Sequence, residues 1–179
     1  MTRAFVCVKI NDEAIREVER INKEIQGSRL INAKHTLPEN LHLTLKFLGE
    51  ISEDKIEEVK KNLEKLKVKK FNASFSDIGT FSETFLRIVW LKVTGKEIVE
   101  LQKDVDEALS DLFGKENRFM SHLTIARIRG VKDRDKFLEF LKTIKVNPVS
   151  FLIDKIYLKK STLTPKGPVY EILFEKKLL

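Results

Sequence analysis

His42-Leu43-Thr44-Leu45 and His122-Leu123-Thr124-Ile125 are nearly the same tetrapeptide, written twice in one chain with 80 residues between the histidines. In an extended strand alternate side chains share a face, so each copy presents an imidazole and a hydroxyl on one side and sends two aliphatic residues into a core. The repeat predicts two pseudo-symmetric halves of roughly 80 to 90 residues. An approximate two-fold axis between them would set the two His/Thr pairs facing each other across one cleft. The chain has three histidines, and the repeat uses two. The third, His35, lies near a turn at Pro38 and is expected to be a loop residue outside the site.

Working outward, Thr2 to Ile10 reads as a strand, and Asn11 as an N-cap with Asp12 and Glu13 in the first helical turn. Ile15, Val18, Ile21 and Ile25 then mark one helical face, with Gly27 as the expected stop. A second helix begins at the cap Ser52 and buries Ile56, Val59, Leu63 and Leu66. A third is expected from Lys96 to Phe113, closed by Gly114. A fourth follows Asp133 around Phe137, Leu138 and Leu141. Phe71 to Phe75, Phe85 to Val93, Phe151 to Leu158 and Val169 to Glu175 read as strands. Several neighbouring strands have no helix between them. The expected fold is therefore α+β and bilobal, a single domain over residues 1–179, with largely antiparallel sheet, helices outside and a cleft between the lobes. Neither G-x-G-x-x-G nor G-x-x-x-x-G-K-[ST] occurs, which argues against nucleoside triphosphate chemistry.

Apolar residues make up 42% of the 179 and charged residues 34%, a composition that excludes disorder. Lys and Arg total 34 against 27 for Asp and Glu, a formal charge of +7. That surplus favours a polyanionic partner such as nucleic acid. The longest apolar run, Ala4 to Val8, is far short of the roughly 20 residues a membrane helix needs, and no secretory pattern is seen. The single Cys7 has no disulfide partner and reads as a small buried hydrophobe, so a cytoplasmic location is expected. Only Gln26 and Gln102 represent glutamine among abundant Lys and Glu, a bias that points to a hot-living source.

Two opposed imidazoles suit in-line phosphoryl transfer from RNA. One neutral His accepts a proton from the attacking oxygen while a protonated His supplies one to the leaving oxygen. No metal or other cofactor is required, and three scattered histidines make a poor zinc set. Thr44 and Thr124 can donate hydrogen bonds to the non-bridging phosphate oxygens. Arg127 lies five residues beyond His122 and would face away in a flat strand, unless a bulge aims it at phosphate. Phe47 occupies the equivalent place after His42 and reads as core. Lys159, Lys160 and Lys166 are solvated charges by default and would track an RNA backbone if the cleft lies beside them. Tyr170 is expected to be half-buried with Ile172 and Phe174.

At these residues the chain resembles the two-histidine phosphoesterase superfamily, specifically the RNA 2′,3′-cyclic phosphodiesterases, also called 2′-5′ RNA ligases. The resemblance extends to Arg3-Ala4-Phe5-Val6, Pro38-Glu39-Asn40-Leu41, Phe47-Leu48-Gly49, Ala126-Arg127, Ser161-Thr162-Leu163 and Gly167-Pro168-Val169-Tyr170. Met120-Ser121 departs from it, since relatives often carry Pro beside the second His. The resemblance implies hydrolysis of an RNA 2′,3′-cyclic phosphate end to a 2′-phosphate, with tRNA fragments among the candidate substrates, and reversible 2′-5′ ligation. It also implies His42 as proton donor to the 3′ oxygen and His122 as proton acceptor from water, although the two near-identical motifs leave these roles interchangeable. A monomer is expected. The alternative reading is a non-catalytic RNA-binding protein on the same fold.

Overall fold

The computed structural model describes all 179 residues. The chain runs β1 (Thr2–Lys9), α1 (Asp12–Ser28), β2 (Ile31–His35), a 3-10 turn (Pro38–Asn40), β3 (His42–Ile51), α2 (Glu53–Glu64) and β4 (Phe71–Thr80). It continues through β5 (Ile88–Thr94), α3 (Lys96–Ala108), β6 (His122–Val131), α4 (Arg134–Thr143), β7 (Ser150–Ile153), β8 (Lys155–Thr164) and β9 (Gly167–Lys177). Three helices begin where a short polar side chain satisfies an otherwise free N–H. Asn11 accepts from Ala14, Ser52 from Lys55 and Asp133 from Lys136.

All nine strands join one sheet in the order β7-β4-β5-β6-β3-β1-β8-β9, with β2 added beside β6. Every pairing is antiparallel. The sheet narrows at its middle, where β3 and β6 share the single pair Leu43↔Leu123. On one side of that waist lies a lobe of β3, β1, β8 and β9; on the other lies a lobe of β6, β5, β4, β7 and β2. The sequence halves are therefore not the lobes. After α2 the chain crosses to lay β4 on β5, and after α4 it crosses back to lay β8 on β1, so each half lends two strands to the other lobe, β2 and β4 one way and β8 and β9 the other. The helices bury Val18, Ile21, Val59, Leu63, Leu101, Val105 and Phe137 against the aliphatic side of the strands in one continuous core. The other side of the sheet forms the cleft.

Four expectations need correction. The run Phe151 to Leu158 is two strands separated at Asp154, whose ends lie in different lobes; alternation reports which face a residue occupies and is silent on its partner strand. Residues 31–35 form β2. The first helix passes Gly27 and ends at Ser28, where Arg29 takes the left-handed conformation (φ 55°). The third helix ends at Ala108, and the chain then folds back so that the Glu116 N–H reaches the Asp106 carboxylate at 3.0 Å.

Candidate active site

The waist of the sheet places the two motifs. Antiparallel pairing through Leu43↔Leu123 sets His42 and Thr44 against Thr124 and His122 about a local two-fold axis. The neighbouring strands repeat the symmetry. Lys9 pairs with His42 and Lys92 with His122, while Cys7 pairs with Thr44 and Trp90 with Thr124. Each imidazole is oriented in the same way by its own backbone. His42 Nδ1 is 2.7 Å from the Asn40 carbonyl, and His122 Nδ1 is 2.7 Å from the Met120 carbonyl. A carbonyl only accepts, so Nδ1–H is the donor, and Nε2 is left on both rings as the nitrogen that can exchange a proton.

A bulge follows each motif. Along β3 the partners of Cys7 and Val6 are Thr44 and Lys46, so Leu45 is the extra residue. Along β6 the partners of Trp90 and Val89 are Thr124 and Ala126, so Ile125 is the extra residue. One added residue reverses the alternation beyond it. Phe47 and Arg127, which a flat strand would turn inward, therefore face the cleft with the histidines. The expected core position of Phe47 is overturned, its side chain being 73% exposed. Lys46 takes the inward place instead; it is buried and ion-paired to Asp106 of α3, and it donates to the Gly114 carbonyl at 2.8 Å.

These residues line a cavity of about 650 Å³ that contains His42, Thr44, His122, Thr124 and Arg127 together. Arg3, Lys34 and Lys166 add positive charge to its wall, and Glu50 is its one carboxylate. None of the four cations is engaged in an ion pair. The Tyr170 ring also reaches the cavity, while Ile172, meant to share its face, is 47% exposed beside the register shift between Leu158 and Lys159. His35 is not a loop residue outside the site: it ends β2 opposite Ala126 and lines the same cavity, with its Nδ1 buried and unpartnered. Burial alone pulls its pKa below the usual imidazole value. The three lysines of the last hairpin separate. Lys166 lines the cavity, Lys160 pairs with Glu171 at 3.7 Å, and Lys159 is only 3% exposed. Lys34 crosses the cleft to donate to the Lys166 carbonyl, tying β2 to the β8–β9 hairpin.

The two imidazoles differ in their surroundings. His42 sits in an aromatic box, 4.9 Å from the Phe5 ring and 5.2 Å from the Tyr170 ring, centroid to centroid. Burial there, reinforced by the charges of Lys159 and Arg127, pushes its pKa down to about 4. His122 meets one ring, the exposed Phe81, edge-on at 4.8 Å. Cys7, the cross-strand partner of Thr44, is fully buried, and burial pushes its thiol up to about 12, which leaves it inert as a nucleophile.

The cleft positions of Phe47, Tyr170 and Lys34 and the burial of Lys159 were not read from the sequence, although Tyr170 is half-buried as expected. The doubled apolar pair Ile125-Ala126 marks the bulge of β6, while in β3 Lys46 continues the polar alternation and hides the bulge that turns Phe47 outward. Nothing local in the sequence signals the other three, because strand swapping places them.

A family model described as LigT like phosphoesterase matches residues 8–90 and 91–170, one tetrapeptide in each segment. A Methanocaldococcus jannaschii protein described as an RNA 2′,3′-cyclic phosphodiesterase is 34% identical over 97% of this chain and 99% of its own length. An Aquifex aeolicus protein of the same description is 35% identical over 98% of this chain and 96% of its own. The crystal structure of TT0787 from Thermus thermophilus superposes with a TM-score of 0.77 at 26% identity, covering 98% of this chain and 97% of that one. The apo crystal structure of Escherichia coli LigT shares the fold at a TM-score of 0.77, with 19% identity over 99% and 97% of the two chains. On the strength of the twice-matching family model and these nearly full-length relatives, the chain belongs to the LigT-like phosphoesterases of the two-histidine superfamily.

Proposed function

We propose that the protein opens the 2′,3′-cyclic phosphate at an RNA end to leave a 2′-phosphate, by proton exchange between His42 and His122. The observation that carries this reading is the pair of rings with Nδ1 tied to backbone carbonyls and Nε2 free, at symmetric places in one cationic cavity. His122 Nε2 takes a proton from water as the water oxygen bonds to phosphorus. The P–O3′ bond breaks, and His42 Nε2 gives its proton to O3′. Thr44 and Thr124 hydroxyls donate to the non-bridging oxygens, and Arg127 offsets the charge that builds there. The exposed Phe47 ring offers a face on which the terminal base can stack, and the remaining cations suit RNA. With a 5′-hydroxyl in place of water, the same steps join two RNA ends through a 2′-5′ bond, and run backwards they cut that bond to regenerate the cyclic phosphate. Short RNA ends, tRNA fragments among them, are the substrates this cleft suits.

In the empty cleft His42 is neutral near pH 7, so as the donor it must gain its proton with the substrate, whose negative charge opposes the nearby cations. The test is incubation with an RNA ending in 2′,3′-cyclic phosphate, with EDTA present, and identification of the product end. Turnover to a 2′-phosphate is expected. Loss of activity in EDTA with rescue by zinc would replace this mechanism with metal catalysis. Tight RNA binding without turnover would favour the non-catalytic alternative.

A further inference from the structure

Lys159 is the one lysine on the cleft side of the sheet that is buried without an anion. It stands opposite Phe5 in the β1–β8 ladder, is 3% exposed, and has no carboxylate within ion-pairing distance. Its ammonium faces two aromatic rings, with the Cys7 thiol and the Lys9 ammonium nearby. The ammonium lies 5.8 Å from the Tyr170 ring centroid and 6.0 Å from that of Tyr157. The Tyr170 ring in turn stands edge-on to His42 at 5.2 Å, so a single aromatic ring separates the buried cation from the imidazole. A buried charge without a partner weakens a fold. Methionine would fill a similar volume without that cost.

We propose that Lys159 is a positioning residue for His42. Its ammonium adds to burial in disfavouring the protonated imidazole while the cleft is empty, and so strengthens the coupling between proton uptake at His42 and entry of an anionic ligand. This deepens the phosphodiesterase reading, because it would restrict the protonated, donor-competent state to the complex with a phosphate. The groups that face His42 support it. Lys159 comes from β8 and Tyr170 from β9. Arg127 and His122 come from β6, and Lys9 is the cross-strand partner on β1. No carboxylate stands among these; the Asn40 carbonyl on Nδ1 is what favours the charged ring, and among the charges that disfavour it Lys159 has the largest effect. Burial also lowers the affinity of Lys159 itself for its proton. An entering phosphate acts on both groups in the opposite direction.

The experiment is an NMR titration of the imidazole Cε1–H signals, with and without inorganic phosphate, in the parent and in Lys159→Met. The His42 signal is assigned from His42→Asn. Removing the ammonium should raise the midpoint of His42 by about one pH unit, the order expected for a unit charge on the far side of one aromatic ring at an effective dielectric near 20. Phosphate should raise the parent's midpoint by more than it raises that of Lys159→Met. The variant should also melt at a higher temperature than the parent. An unmoved His42 midpoint would reduce Lys159 to a structural part. A lower melting temperature, or failure to fold, would overturn the claim that the charge is carried against the interest of the fold. None of these readouts needs turnover, so failure of the phosphodiesterase reading would show separately, as a parent that leaves cyclic phosphate ends intact.

Discussion

Beside Thr44 across the sheet, flooring that lobe next to the cleft, stands Cys7 with Tyr157 beyond it; beside Thr124 stands Trp90 with Gly79 beyond it. The ladders make these the same two stations in the two lobes, filled small-then-large in one and large-then-small in the other. The motif strands between them are near copies. Each has nearly the same tetrapeptide, a backbone carbonyl two residues earlier on Nδ1 and a bulge at the same place, yet one histidine stands in a box of Phe5 and Tyr170 and the other meets only the exposed Phe81. Local sequence thus sets which nitrogen is free and which way it faces. The protonation of the ring depends on strands brought from elsewhere in the chain.

The most damaging way to break the comparison is to remove either member. His42→Ala and His122→Ala should each cost about 10² to 10⁴ in turnover, and the double variant should cost far less than the product, because residues acting as one proton-transfer unit are non-additive. Rates on protein shown to be folded check this, and near-normal turnover in either single variant would defeat the two-histidine mechanism. His35→Ala, although it removes a ring from the same cavity, takes away no recorded hydrogen bond and should cost about tenfold or less.

The unequal burial of the two rings predicts an unequal acid response. His42 titrates near 6.5 when unfolded and about 4 when folded. Between those values the unfolded chain therefore binds a proton that the folded chain refuses, so stability is present above pH 6.5 and is lost as the pH falls to 4. The depressed value corresponds to about 3 kcal/mol. His42→Asn keeps an N–H for the Asn40 carbonyl and removes the titration. Denaturant unfolding at pH 7 and pH 4 should show a smaller loss for the variant than for the parent, and equal losses would mean that the aromatic box does not hold the ring neutral.

A subtler break uses the residues that the two bulges turn outward, since the symmetric positions carry different chemistry. Arg127→Gln should lower kcat by roughly 10 to 100-fold, as for a lost charge-assisted hydrogen bond of about 1.5 to 3 kcal/mol. Phe47→Ala should leave kcat near normal and raise KM, because stacking of a base contributes about 1 to 3 kcal/mol of binding. Measuring kcat and KM separately on an RNA with a cyclic phosphate end decides it, and a fall in kcat for Phe47→Ala would place that ring in the chemical step instead.

What the sequence disclosed follows the range of the interactions. The tetrapeptides, their shared face and the caps at Asn11, Ser52 and Asp133 depend on neighbours a few residues away, and all were legible. His35 and Lys159 were misread because their surroundings are set by pairing over long separations, β2 with β6 and β8 with β1. The same holds for Phe151 to Leu158, a stretch that reads as one strand and serves two lobes. Phe47 lay between these cases. Its bulge is local, but Lys46 continues the alternation as an ordinary polar position until its partner Asp106 is in view.

The smallest expected effect tests the swapped floor itself. A methyl group placed on Gly79 would come within 2.8 Å of the Trp90 ring, tighter than packed atoms tolerate, so Gly79→Ala has to push the indole toward Thr124. Overpacking of this kind typically costs about 1 to 3 kcal/mol, or some 2 to 4 °C in melting temperature for each kcal/mol in a chain of this size. Trp90 is the only tryptophan in the chain, so its emission reports the displacement directly. Trp90→Phe in the Gly79→Ala background should recover most of the lost stability by returning volume to the station, as Cys7 does beside Tyr157 in the other lobe. If Gly79→Ala leaves both melting temperature and emission unchanged, the two floors are not complementary in size, and the symmetry of the lobes stops at the histidines.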